Sequence, residues 1–162
     1  MSEVPKFLKA NDGYAASFKK GHLPMPPARR VAVVACMDAR LDPARVLGLE
    51  EGDAHVIRNA GGRAADAVRS LVISQQLLGT REVVVIHHTD CGMLTFTDAQ
   101  LRRKLQEDLG ALTDDPFLAF TDLEQSVRDD VRAIRESRVL LKDAPVTGFI
   151  YDVRTGRLRQ VE

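Results

Sequence analysis

The chain has 162 residues, of which 44% are hydrophobic and 28% are charged, and this length and composition suit one globular domain with a buried core. Because 23 Lys and Arg residues balance 23 Asp and Glu residues, bulk charge gives no reason to expect nucleic acid or an anionic membrane as a partner. The longest apolar run, residues 31–37, is far shorter than the roughly 20 residues of a membrane helix, and the amino-terminal residues lack the apolar core of a signal peptide, so we expect a cytoplasmic protein.

The amino-terminal residues are expected to form an arm outside the core. Apolar side chains from Val4 to Phe18 have a loosely helical spacing, but Gly13 interrupts them and the turn-rich sequence LPMPP follows. We therefore divide the chain into an arm, residues 1–27, and an α/β domain, residues 28–162. The apolar side chains of the arm have little to bury against in a small domain of their own, so a partner surface is their expected cover.

Two β-branched apolar runs follow the arm and predict buried strands, VAVVAC (31–36) and REVVVIHH (81–88). Between them, HVIRN (55–59) predicts a further strand that closes on a glycine turn. Towards the carboxyl end, PVTGFIYD (145–152) and RLRQV (157–161) flank a short turn, and this pattern predicts a strand with a hairpin return.

Helices are predicted between these strands. Asp42 and Pro43 form an N-cap followed by proline at the first helical position, Gly79 is a stop signal, and Thr121 and Glu124 have the spacing of a capping box. The predicted ranges are 43–49, 64–79, 94–109 and 121 to about 139. The alternation of strands and helices indicates an α/β fold with a mostly parallel central sheet flanked by helices, an N-terminal helical arm and a C-terminal β-hairpin return.

Reactive side chains stand where two of the predicted strands end. Cys36 closes the first strand, His88 closes the third, and Cys91 follows three positions later. Ligands of open parallel sheets bind beyond the carboxyl ends of the strands, so these side chains are expected to converge. Two thiolates and an imidazole match a catalytic zinc site with one open position. The spacing alone also allows a second interpretation, in which both cysteines are small buried hydrophobic residues.

Three ordered motifs make a family resemblance. VVACMDAR (33–40), VIRNAGG (56–62) and HHTDCGM (87–93) resemble those of the β-class carbonic anhydrases, in particular a small bacterial member, and the resemblance covers nearly the whole chain. It implies a carbonate dehydratase, a zinc lyase that interconverts carbon dioxide and bicarbonate. It also implies a homodimer or a multiple of dimers, in which the arm lies across the neighbouring subunit.

The resemblance implies a role for each motif residue. Cys36, His88 and Cys91 become the zinc ligands, and Asp38 and Arg40 become a partnered dyad beside the metal. Alternation along an extended segment would place Cys36, Asp38 and Arg40 on the same side. Asp38 either orients the zinc-bound water or, in a closed form, takes the fourth zinc position, and Arg40 holds it away from the metal.

The glycine turn, Gly61 and Gly62, is expected to bring bare backbone close to the substrate, with an N–H group directed at an oxygen of carbon dioxide or bicarbonate. His87 precedes a ligand and is expected to point to the opposite face, and Asp90 receives no role. Two thiolates cancel the charge of Zn²⁺, so the pKa of the bound water should exceed the value of about 7 in a three-histidine site. We therefore expect zinc-bound hydroxide to attack carbon dioxide most readily at alkaline pH.

Other functions remain open at this point. A carbonyl sulfide or carbon disulfide hydrolase would use the same zinc site on linear analogues of carbon dioxide, and the shape of the pocket would decide between the substrates. A more distant alternative is a non-catalytic zinc protein, structural or redox-sensing, in which Asp38 permanently closes the site.

Overall fold

The predicted strands form a single sheet in the computed structural model, which describes residues 2–162. Within this range the strands are β1 (Val31–Cys36), β2 (Ala54–Asn59), β3 (Glu82–His88), β4 (Val146–Tyr151) and β5 (Leu158–Val161). The helices in the same range are α1 (Val4–Ser17), α2 (Pro43–Leu47), α3 (Ala64–Gln76), α4 (Asp98–Leu109) and α5 (Leu123–Glu136).

The order of the strands in the sheet is β2-β1-β3-β4-β5. The first four are parallel, and β5 runs antiparallel to β4. This topology confirms the predicted α/β class and the hairpin return. Because β1 lies between β2 and β3, the winding of the chain reverses at β1, and the carboxyl ends of the strands at such a switch point are where ligands of open parallel sheets bind.

Two apolar clusters cover opposite faces of the sheet. Ala32 and Val34 of β1 pack in the cluster beneath α3 and α5, whereas Val33 and Ala35 pack in the cluster on the α2 side, with Leu41. A strand between two such clusters must be apolar at successive positions, which accounts for the unbroken VAVVAC run.

Two helices end earlier than their sequences predict. α2 ends at Leu47 rather than at Leu49 because Gly48 adopts a left-handed conformation (φ 62°) and closes the helix. α3 ends at Gln76, and Gly79 (φ 76°) belongs to the turn that follows. In both cases the prediction was wrong at the boundary and correct about the element.

The beginning of α4 also differs from the prediction. The helix starts at Asp98, whereas the predicted range began at 94, because Gly92–Leu94 form a separate 3-10 turn. Thr97 caps α4 through a capping box with Gln100, so the chain is committed to a helix only from this point.

The predicted capping box of α5 is wrong. Asp122, not Thr121, is the N-cap, and its carboxylate accepts a hydrogen bond of 2.9 Å from the backbone N–H of Gln125. The helix ends at Glu136, earlier than the predicted residue 139. Its apolar stripe is buried as expected, at Val127, Val131 and Ile134.

The arm is a helix in spite of Gly13, which lies within α1. In the described chain, residues 2–162, none of the side chains of α1 is buried, and Phe7 and Leu8 are 66% and 63% exposed. The Tyr14 hydroxyl donates a hydrogen bond to the Glu51 carboxylate, and Lys20 forms an ion pair of 2.7 Å with the same carboxylate. Polar contacts therefore connect the arm to the domain. No helix between residues 2 and 162 combines the length and the apolar character that crossing a membrane requires.

Candidate metal centre

The carboxyl ends of β1 and β3 bring together the cysteines and the histidine that the sequence singles out. Cys36 is the last residue of β1, His88 is the last residue of β3, and Cys91 follows in the next turn. All three side chains are buried, and their donor atoms lie within 4.8 Å of one another. The topological switch point between β1 and β3 is therefore also the place where these three side chains meet.

The imidazole of His88 has a free ring nitrogen directed into this cluster. Its Nδ1–H donates a hydrogen bond of 2.9 Å to the carbonyl oxygen of Thr89, so Nε2 carries the lone pair. Among residues 2–162 no group hydrogen-bonds to Nε2, although the atom is buried. A buried lone pair without a donor is costly, and a metal ion would satisfy it.

The two thiols also fit a metal. Cys36 Sγ and Cys91 Sγ lie 4.0 Å apart, and a tetrahedral Zn²⁺ with Zn–S bonds of about 2.3 Å would hold two sulfurs about 3.8 Å apart. The hydrogen bond between them lowers the pKa of Cys36 and raises the pKa of Cys91. Two buried thiolates this close repel each other, so both can ionise only when a cation joins them. The donor set therefore fits zinc.

Asp38 reaches this site through a turn and not through an extended segment. β1 ends at Cys36, the Leu41 N–H donates to the Asp38 carbonyl at 3.1 Å, and the Arg40 N–H donates to Asp38 Oδ1 at 2.8 Å. The predicted alternation along an extended strand was therefore the wrong reason for the proximity of Asp38 and Arg40. A carboxylate that accepts a backbone N–H two residues later stabilises the turn.

The guanidinium of Arg40 holds the carboxylate of Asp38 with two side-chain hydrogen bonds. Arg40 Nε donates to Oδ1 at 2.9 Å, and Arg40 Nη2 donates to Oδ2 at 2.8 Å. This fork lowers the pKa of Asp38 well below its usual range and raises the pKa of Arg40. Asp38 Oδ2 lies 3.7 Å from His88 Nε2, so the carboxylate is both ionised and next to the free ring nitrogen.

Asp90 is the site residue to which the sequence assigned no role. Arg40 Nη1 donates to Asp90 Oδ2 at 2.7 Å, and Arg40 Nη2 donates to the Asp90 carbonyl at 2.9 Å. Asp90 has a left-handed backbone (φ 55°), a conformation that Asp tolerates better than most residues. Its position between His88 and Cys91 was the available signal, but a contact across 50 positions depends on how the turns fold.

The glycine turn packs against the end of β1. A Cβ atom on Gly62 (φ 70°) would lie 2.8 Å from the Cys36 nitrogen and 2.9 Å from the Ile86 carbonyl oxygen. The hydrogen bond from Cys91 makes the largest contribution to the lowered pKa of Cys36, and the backbone of Gly61 makes a smaller one. The turn therefore packs directly against Cys36.

His87 lies on the other side of the sheet from His88, as expected. It is completely buried, and its Nδ1 pairs with Ser126 Oγ at 2.8 Å. Its ring stacks on Phe120 with a centroid distance of 5.5 Å. These contacts connect β3 to α5 and keep His87 away from the cysteines.

Comparison with known proteins gives a consistent result. A family model described as carbonic anhydrase matches residues 31–158. The chain is 48% identical to Beta-carbonic anhydrase 1 of Mycobacterium tuberculosis over 162 residues, which cover 99% of each protein. It is 32% identical to a carbon disulfide hydrolase of an Acidianus species, over 94% of this chain and 86% of that protein.

The fold is also similar to solved structures. The crystal structure of a carbonic anhydrase from Streptococcus mutans superimposes with a TM-score of 0.95 and 51% sequence identity. The match covers 100% of this chain and 99% of that one. The similarity therefore includes the arm as well as the sheet.

Proposed function

The chain belongs to the β-class carbonic anhydrases, the lyases that hydrate carbon dioxide, and we propose that it carries out this reaction with a zinc ion held by Cys36, His88 and Cys91. The observation that carries the proposal is the buried, unpaired Nε2 of His88, which faces two thiols and lies 3.7 Å from a carboxylate. Bound there, Zn²⁺ would supply a Lewis acid that makes a water molecule nucleophilic enough to add to carbon dioxide.

The protein residues would divide the remaining work. The two thiolates balance the charge of the cation, and the Nδ1 hydrogen bond to Thr89 keeps the His88 ring in the tautomer that can bind it. Asp38 accepts a hydrogen bond from the reacting water and orients it towards carbon dioxide. Arg40 keeps Asp38 ionised and directed to one side, so that the carboxylate acts on the water and leaves the fourth metal position open.

Asp38 could also occupy that fourth position and give a closed form. The two hydrogen bonds between Arg40 and Asp38 support an open site. They argue against a protein in which Asp38 permanently occupies the fourth zinc position. The glycine turn is proposed to line the substrate side of the pocket with the backbone of Gly61 and Gly62.

We also propose that the protein works as a homodimer or a multiple of dimers. In this proposal residues 1–27 form the dimerisation arm, and residues 28–162 form the zinc-binding catalytic domain. The exposed apolar side chains of α1 support it, because a second subunit would remove them from water. The two free cysteines support a reducing compartment, the cytoplasm, where both remain available to a metal.

The test is stopped-flow carbon dioxide hydration by the zinc-loaded protein from about pH 6.5 to 9, a range around and above a zinc-water pKa near 7. We expect one zinc per chain and a rate that rises towards alkaline pH. His88→Ala should lose both zinc and activity, whereas His22→Ala, at an exposed position outside the site, should retain both. A protein that binds zinc without hydrating carbon dioxide at any pH would contradict the proposal.

Carbon disulfide is a second candidate substrate because a carbon disulfide hydrolase is 32% identical over 94% of this chain. Hydrogen sulfide release from carbon disulfide or carbonyl sulfide by the same zinc-loaded samples distinguishes the two functions. Sulfide release without carbon dioxide hydration would assign the chain to the hydrolases of these analogues.

A further inference from the structure

Arg40 is shared between two carboxylates, Asp38 and Asp90. Its guanidinium directs Nε and Nη2 at Asp38, and Nη1 and Nη2 at the side chain and the carbonyl of Asp90. Asp38 is mostly shielded, with a side chain that is 18% exposed, whereas the side chain of Asp90 is 68% exposed. One cation therefore connects a carboxylate beside the metal centre to a carboxylate at the surface.

The charges of this cluster are unequal in the arrangement that the structure records. Two carboxylates share one guanidinium, so the three groups together carry one net negative charge, and Asp38 and Asp90 repel each other. If Asp38 turns to the metal, Arg40 and Asp90 remain as a neutral pair. Without the carboxylate of Asp90, the movement of Asp38 to the metal would take away the last carboxylate that contacts Arg40 in this structure.

We propose that Asp90 is a positioning residue that retains Arg40 when Asp38 turns to the metal, and that it thereby favours the closed form of the site. The inference rests on the proposed function of that site. Both carboxylates stay ionised in this exchange. The Asp38 carboxylate takes the fourth ligand position, one water molecule leaves it, and the Arg40 guanidinium keeps its bonds to Asp90.

The geometry is suited to such an exchange. Asp38 Oδ2 lies 3.7 Å from His88 Nε2, so only a short movement separates the two positions of the carboxylate. Asp90 lies next to Cys91, and the Thr89 N–H donates to the Tyr151 carbonyl at 2.9 Å, which anchors this turn to the end of β4. Arg40 thus has a second partner, on a turn that is hydrogen-bonded to β4.

The opposite effect has to be tested as well. If Asp90 acted only as an anchor that kept Arg40 in place for Asp38, its removal would weaken the fork and close the site. The two roles change the open fraction in opposite directions. Asp90→Asn separates them because Asn removes the charge and tolerates the left-handed backbone.

The experiment measures azide binding to the cobalt-substituted protein by visible absorption. Azide needs the fourth ligand position, so its apparent affinity is proportional to the open fraction. At about pH 6.5, below a typical metal-water pKa, neutral water competes poorly and the closed form should be populated. There we expect Asp90→Asn to bind azide roughly threefold or more tightly than the unmodified protein.

The loss of a negative charge could itself attract azide, so the measurement is repeated in an Asp38→Ala background, which has no carboxylate to close the site. The tightening caused by Asp90→Asn should be clearly smaller there. Asp108→Asn, which removes an exposed ion pair with Lys104 on α4, should have no effect in either background. Equal tightening in both backgrounds, or weaker binding by Asp90→Asn, would overturn the proposal. Failure of the unmodified protein to bind cobalt would instead overturn the proposed metal site.

Discussion

Gly62 shows how a single residue without a side chain supports the candidate metal centre. It lies where the end of β1 meets β3, and a Cβ atom added to it would stand within 2.9 Å of both the Cys36 nitrogen and the Ile86 carbonyl oxygen. Both neighbours are backbone atoms of buried strands, so they cannot move aside as a flexible side chain would. The need for glycine here is therefore steric as well as conformational.

We expect Gly62→Ala to destabilise the protein more than Gly79→Ala does. Both glycines have a positive φ (70° and 76°), which costs about 1–2 kcal/mol for alanine, but no atom approaches within 4 Å of a Cβ on Gly79. The clash at Gly62 should add about 1–3 kcal/mol and displace Cys36. Urea unfolding and zinc content measure the two effects. Equal loss of stability in the two variants would show that backbone conformation alone determines the cost.

The first turn of α4 organises the loop that follows the helix. Asp98 accepts hydrogen bonds from the N–H groups of Phe117 at 2.9 Å and Ala119 at 3.2 Å. Burial by itself would raise the pKa of Asp98, but these backbone N–H groups outweigh it, and the pKa is lowered. The loop ends at Phe120, which stacks on His87, so Asp98 connects α4 to the packing behind β3.

We expect Asp98→Asn to lower stability at neutral pH by about 1 kcal/mol, because the amide replaces one charged acceptor oxygen. The pKa of Asp98 is lowered in the folded protein, so its contribution is complete above the unfolded pKa of about 3.9 and disappears as the pH falls through the folded value. The difference between variant and parent should therefore shrink below about pH 4. Urea unfolding at a series of pH values measures it.

Asp12→Asn is the matched control for this change. Asp12 lies on α1, and in the part of the chain that the structure describes it has neither a hydrogen bond nor an ion pair through its side chain. The free energy of unfolding of Asp12→Asn at neutral pH should equal that of the parent. A difference for Asp98→Asn that stayed constant down to pH values near 3 would mean that the carboxylate charge is not involved.

At the scale of the whole molecule, the arm is the part that the single chain leaves unexplained. The domain buries both faces of its sheet, whereas α1 keeps all its side chains in water, including Phe7 and Leu8. A helix with so little packing of its own is of marginal stability. A neighbouring subunit would supply the missing surface.

We expect the double variant Phe7→Asp and Leu8→Asp to dissociate the proposed dimer into folded monomers. The reason is that neither side chain packs in the core of its own chain. Sedimentation at micromolar concentration measures the mass, and Leu112→Asp, at an 81% exposed position outside the arm, is the control. If the unmodified protein sedimented as a monomer, the proposed assembly would be wrong.

The sequence by itself determined which segments form strands and helices and where the candidate metal site lies. Apolar runs such as VAVVAC can be satisfied only between two packed layers, so they predict strands of a parallel sheet. The proximity of Cys36 and His88 follows directly, because each residue ends such a strand and parallel strands end at the same edge of the sheet. The spacing of the motifs also identified the family, because three ordered motifs occur together by chance far less often than one.

The tertiary structure alone decided the contacts between turns. Asp122 rather than Thr121 caps α5, and because both side chains can accept a backbone N–H, the sequence does not choose between these two adjacent caps. The contact of Arg40 with Asp90 spans 50 positions and depends on the φ of two turns. A strand has a fixed period that sequence displays, whereas a turn places its side chains by dihedral angles that neighbouring elements impose.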